Sequence, residues 1–184
     1  MPEEATEKLI DQALKDNQDH CCKRCGFDQR EEYTPVTEEL VQAYFAAALS
    51  QTPFRKTYEL YGGALTVSFE EATGKLLRLQ EKAIVERSKN GQASIADAAD
   101  FSLVSSLCEV IQHPKEGSAR VLYKAGMAER IQILEKMELP DTLINMPMIQ
   151  LQALRSTYNE FSKLCAGLML AAQDENFWKG AGRN

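Results

Sequence analysis

Apolar and polar side chains alternate most clearly between Phe54 and Phe69, in FRKTYELYGGALTVSF, on either side of Gly62-Gly63. A period of two marks half-buried strands, and two glycines between such runs mark a hairpin whose turn needs positive φ. A two-residue turn there sets Tyr61 opposite Ala64, Leu60 opposite Leu65, Glu59 opposite Thr66 and Tyr58 opposite Val67. Tyr58, Leu60, Leu65, Val67 and Phe69 then share an apolar face, and Thr57, Glu59, Tyr61, Thr66 and Ser68 a mostly polar one. A lone two-stranded ribbon is marginal in water, so the apolar face must lie on helices of this chain or of a neighbour. Its edges stay free to pair with another strand unless something covers them.

Elsewhere the period is helical. Glu3 to about Asp16 carries a narrow stripe of Leu9, Ile10, Ala13 and Leu14, marginal alone and expected to order against something else. Thr37, followed by Glu38 and Glu39, is set to cap a helix with Val41, Tyr44, Phe45 and Ala48 on one face, ending before Pro53. Tyr44 and Phe45 are the expected partners of the hairpin's apolar side. Lys75 to Lys89 reads as a helix stopped by Asn90-Gly91. Ser94 with Asp97 resembles a capping box opening a helix to Gln112, closed by His113-Pro114. Arg120 to Met137 reads as a further helix despite Gly126.

The last helix, Pro147 to Gln173, carries Leu151, Leu154, Tyr158, Phe161, Cys165, Leu168 and Ala172 at alternating spacings of three and four. That seam packs either within its own bundle or against a partner's helix. Beyond it, Phe177 and Trp178 either dock on a neighbour or fold back on the core. The expected fold is mainly α, a helical bundle with one β-hairpin at about residues 55–69 and an extended N-terminal arm. Residues 1–36 form the arm with its Cys-rich knuckle, and residues 37–184 the helical domain with the inserted hairpin.

The run K-T-Y-x-L-Y-G-G-x-L-T-V-x-F follows a helix opening T-E-E at Thr37–Glu39 and, upstream, a C-x-x-C-G at Cys22, Cys25 and Gly26. Together these resemble a group of small virion or tail-assembly proteins of tailed bacteriophages, over roughly residues 20 to 80. The resemblance implies a structural or assembly role, with no active site to carry over.

Composition changes this picture little. Hydrophobic residues at 44% and charged residues at 26% are ordinary for a globular domain. A net charge of −6 without a basic stripe argues against nucleic-acid backbone as a partner. The first residues, MPEEATEKL, lack the basic region and apolar core of a signal peptide, and no run approaches the roughly 20 apolar residues of a membrane span. The expectation is synthesis in a cytoplasm with no membrane, while a host cell and residence in a virion are what the resemblance implies. Five cysteines at uneven spacing do not read as a secreted disulfide framework.

Chemistry gathers at one place. His20-Cys21-Cys22-x-x-Cys25-Gly26 forms half of a zinc knuckle, in which Cys22 and Cys25 present two thiolates and His20 a nitrogen. Three completions are open: His20 and Cys21 locally, Cys108 with His113 from afar, or a neighbouring subunit. A redox pair or plain thiols are the other readings, and zinc is the one cofactor the sequence offers. Cys108 and Cys165 fall on apolar stripes and read as core thiols, while His113 reads as a helix-end residue. The carboxylates Glu70, Glu71, Asp97, Asp100 and Glu109 show no paired apolar setting, and no nucleotide, hydrolase or metalloprotease motif occurs.

The sequence therefore reads as a non-enzyme acting by protein–protein contact, in the tail or baseplate region of a phage particle. Its partners are other virion proteins, and it works as an oligomer or as part of a larger assembly. Tyr58, Tyr61, Phe177 and Trp178 are the expected contact residues. Competing readings are a zinc-knuckle adaptor that binds nucleic acid or a host protein, and a tail-assembly chaperone absent from the mature particle.

Overall fold

A computed structural model of the protein describes residues 36–91 and 95–173. These lie within the chain's second unit, Pro35–Asn184. The arm before residue 36, the knuckle residues His20, Cys22 and Cys25, the cap Ser94, and the tail residues Phe177 and Trp178 lie outside the described residues.

The described elements run α1 (Glu38–Leu49), β1 (Arg55–Leu60), β2 (Leu65–Glu70), α2 (Gly74–Lys89), α3 (Ile95–Ser106), β3 (Leu107–Gln112), β4 (Arg120–Lys124), α4 (Met127–Lys136), α5 (Asp141–Ile144) and α6 (Met148–Gln173). The four strands make one antiparallel sheet in the order β1-β2-β3-β4. The fold is thus mixed, with six helices and a four-stranded sheet among the described residues, rather than a bundle carrying a single hairpin.

The hairpin's register is the expected one: Tyr58 opposes Val67, Glu59 opposes Thr66 and Leu60 opposes Leu65. Its turn differs. The Glu71 N–H donates to the Phe54 carbonyl at 2.8 Å, which fixes the phase of the ladder. Hydrogen-bonded and non-bonded pairs alternate in an antiparallel ladder, so the last bonded pair is Leu60 with Leu65. A two-residue turn would need a bonded pair at Tyr61 and Ala64. Only half of that pair is made: the Ala64 N–H donates to the Tyr61 carbonyl at 3.4 Å, while the Ala64 carbonyl accepts the His113 backbone N–H instead. The loop therefore takes four residues, with positive φ at Tyr61 (54°), Gly62 (64°) and Gly63 (87°).

Two expected helices are corrected. The first stops at Ser106, and Leu107–Gln112 is β3; the second begins at Met127, and Arg120–Lys124 is β4. The reason lies in β2, where Leu65, Val67, Ser68 and Phe69 are all buried. A strand covered on both faces must pair both of its edges, because an unpaired backbone group without water is costly. β3 supplies that second partner, and a bulge at Cys108 sets its register: Ser68 opposes Glu109 while Phe69 opposes Leu107.

The helix starts are built as the sequence directs. The Thr37 hydroxyl accepts the Leu40 N–H at 3.3 Å, and Thr73 caps α2 in the same way at Leu76. The seam of α6 is filled by its own chain, since Leu151, Leu154, Phe161, Cys165 and Leu168 are buried together with Thr157 and Leu164. Phe161 stacks between Phe54 and Phe69, and Tyr44 meets Phe54 edge-on. Phe45 turns the other way and is 38% exposed. A second, smaller core of Leu76, Ala83, Phe101 and Leu134 joins α2, α3 and α4.

Candidate functional site at the hairpin tip

Tyr61 is an aromatic residue in the left-handed region, which costs roughly 1–2 kcal/mol relative to ordinary backbone. Its hydroxyl donates to the Ile149 carbonyl at 3.2 Å, across 88 residues of sequence. That bond ties the hairpin tip to the first turn of α6, where the carbonyl belongs to a residue whose side chain points to solvent. Pro147 opens α6 and its carbonyl accepts the N–H groups of Gln150 and Leu151, so the first turn is regular.

Tyr61 at 52% and Ile149 at 69% are both largely exposed, as are Ile144 at 61% and Met148 at 62%, which lie close to Ile149 in sequence. Single exposed apolar residues are ordinary on a protein surface; here three fall within six residues of sequence, and the backbone of one of them is held by an exposed tyrosine. Leu143 and Met146, between and beside them, point inward to the main core. The alternation along α5 and the start of α6 therefore sends one set of apolar groups in and another out.

Tyr58 takes a different place from Tyr61. It lies on the sheet's inner face, half-buried and edge-on to Phe69, with the Lys56 ammonium 5.1 Å from its ring centre. Burial raises its pKa, with Glu160 and Cys165 adding to the effect.

The carboxylates serve as struts. Glu70 binds Arg130, whose guanidinium is buried and also donates to the backbone carbonyls of Ser105 and Gly126. Arg55 reaches Glu70 at 3.8 Å and Glu109 at 3.4 Å, and Lys124 reaches Glu109 at 3.3 Å. This gives a charge ladder across all four strands and onto α4. Asp100 accepts two bonds from Arg155 at 2.8 and 2.6 Å, Asp97 faces Arg87 at 3.9 Å, and Glu71 accepts the Tyr44 hydroxyl at 2.9 Å.

Cys108 and Cys165 are buried, as their apolar stripes predict. Burial pushes each thiol up to about 12; at Cys108 the Arg130 guanidinium opposes the rise, and at Cys165 Glu71 adds to it. His113 is corrected from a helix end to the end of β3, where its Nε2 lies 2.8 Å from the Thr66 hydroxyl and its N–H donates to the Ala64 carbonyl. Five residues of extended strand place Cys108 and His113 roughly 16 Å apart, too far to hold one zinc ion between them. Among the described residues no three His, Cys, Asp or Glu side chains are gathered to hold a metal.

Sequence reasoning missed Ile144, Met148 and Ile149. The signal was present in INMPMI, apolar residues on both sides of a connector that needs no such density. Among the described residues no helix is long and apolar enough to cross a membrane. Comparison with protein-family models, curated proteins and solved structures found no match to this chain.

Proposed function

We propose that this protein is a non-enzymatic structural or assembly component of a tailed-phage particle, in the tail or baseplate region, acting through protein–protein contacts. The observation that carries the reading is the exposure of Tyr61, Ile144, Met148 and Ile149 together with the bond that holds Tyr61 to the Ile149 carbonyl, which we read as one apolar patch. Exposed apolar groups fixed on a rigid support are what a docking surface requires, because little side-chain or loop freedom is lost on binding. The resemblance of the hairpin and the upstream C-x-x-C-G to small phage virion proteins supplies the biological setting. Other virion proteins are the partners in this reading, and the virion is its location.

Quantitative mass spectrometry of purified particles tests it. A fixed copy number per particle is the expected result. Complete absence from finished particles, with presence in unfinished assemblies, would turn the reading into that of a tail-assembly chaperone. Absence from both would end it.

The zinc-knuckle adaptor is kept as a second reading because His20, Cys22 and Cys25 have the residue types and spacing of half a zinc site. Stoichiometric zinc in purified protein, with loss of structure on chelation, would favour it.

A further inference from the structure

β1 is the outer strand of the sheet, and among the described residues nothing pairs with its second edge. The phase fixed by Phe54 and Glu71 directs the N–H and C=O groups of Lys56, Tyr58 and Leu60 to β2. Those of Arg55, Thr57 and Glu59 therefore point outward. The side chains of the same three residues lie exposed on the outer face of the sheet. An edge of this kind is a template for another strand.

The charges along it fit one occupant. We propose that β1 pairs antiparallel with β1 of a second copy of this chain, about a two-fold axis through Thr57, joining two four-stranded sheets into one. Only a register that sets outward residues opposite outward residues satisfies the backbone, so the axis must pass through one of positions 55 to 59. An axis at Arg55 or Glu59 puts like charges face to face. One at Lys56 or Tyr58 leaves Glu59 or Arg55 without an opposite charge. The axis at Thr57 alone sets Arg55 opposite the partner's Glu59, Glu59 opposite the partner's Arg55, and Thr57 opposite the partner's Thr57.

Three further features agree. Glu59 has no ion-pair partner among the described residues, while Arg55 holds Glu70 and Glu109 only at 3.8 and 3.4 Å. On the inner face the same register sets Lys56 opposite the partner's Tyr58, repeating across the axis the cation–π contact that each chain makes internally. The ladder also has natural ends. The next bonded pair would join Pro53, which lacks an N–H, to the partner's Tyr61, where the strand has turned away. Three bonded pairs remain, which makes a small interface of the weak, concentration-dependent class. The inference rests on the β1 edge and is independent of the particle reading.

Sedimentation of the full chain under reducing conditions, across the micromolar range, tests it. Self-association to a dimer is expected. Glu59→Arg sets two like pairs across the axis and should raise the dimer dissociation constant at least about ten-fold. Thr57→Pro removes an outward N–H and leaves the backbone bonds to β2 in place, though it also loses the hydroxyl that meets Ser68 at 2.9 Å, so it should do the same. Thr57→Val is the control that loses the hydroxyl alone and keeps the dimer. Glu81→Arg, an equal charge change at an exposed site on α2, should leave association unchanged. A wild-type chain that stays monomeric throughout overturns the proposal. So does a dimer that is indifferent to Glu59→Arg, or one weakened equally by Glu81→Arg.

Discussion

Arg130 and Glu70, sixty residues apart, meet at the seam between α4 and β2, the arginine 1% exposed and the carboxylate 21%. A cation taken out of water is tolerable only when its donors are used, and Arg130 uses them on Glu70 and on the carbonyls of Ser105 and Gly126. The pair also links the smaller helical core to the sheet, since Ser105 precedes the α3–β3 junction.

Removing one partner should therefore cost more than removing both. Glu70→Ala leaves a buried guanidinium with carbonyls alone and should destabilise by on the order of 3 kcal/mol. Arg130→Met combined with Glu70→Ala should cost less than Glu70→Ala alone, because no buried charge is then left without its partner. Urea unfolding of the four proteins, with a double-mutant cycle, gives the coupling directly.

Alkaline pH should unfold the protein earlier than its charge balance alone would suggest. The thiols of Cys108 and Cys165 are raised by burial from an ordinary 9.0 to about 12 in the fold. Tyr44 and Tyr123, also raised by burial, go from 10.0 to about 12. Between those values the unfolded chain has released protons that the folded chain still holds. Stability from these groups is thus complete below about pH 9 and falls as pH rises toward 12. Urea midpoints measured from pH 8 to pH 11 should decline, and the decline should be shallower in Cys108→Ala with Cys165→Ala.

How much of this was legible depended on whether a segment's pattern admitted one period or two. TYELYGGALTVSF alternates strictly and has glycines where positive φ is needed, so the hairpin's register and faces could be read residue by residue. The seam of α6 is long enough that only one face fits it. LCEVIQ and RVLYK were misread because a six- or five-residue apolar run satisfies a helical stripe as well as a buried strand. What decided them was non-local, namely the need of β2 for a second partner. The charge ladder from Lys124 to Arg130 was invisible for the same cause, since its members come from four strands and a helix. The exposed set escaped because spacing shows which side chains share a face but not which of them the rest of the chain covers: Leu143 and Met146 face inward while Ile144, Met148 and Ile149 face water.

The glycines of the hairpin loop should be sensitive to substitution for backbone reasons alone. A Cβ on Gly62 would meet nothing within 4 Å, so space is no obstacle, but its φ is +64°. Gly62→Ala should cost about 1 kcal/mol, and Gly62→Val more, because a branched side chain tolerates that region least. If both changes left the unfolding midpoint where it was, the loop would have to adopt another conformation.

The patch at the tip gives the sharpest separation between stability and function. Met148 and Ile149 are 62% and 69% exposed, so replacing both with serine removes little buried area and should change unfolding free energy by no more than about 1 kcal/mol. Tyr61→Phe deletes only the hydroxyl that holds the Ile149 carbonyl and should cost about 0.5–1.5 kcal/mol. If the patch is the docking surface, the serine double variant should fold normally yet fall out of assembled particles when it competes with wild-type chain. Tyr61→Phe should reduce incorporation less, because the apolar groups remain and only their fixed spacing is relaxed. Equal incorporation of wild type and the serine variant, read by mass spectrometry of particles formed from a mixture, would remove this surface from the contacts that matter.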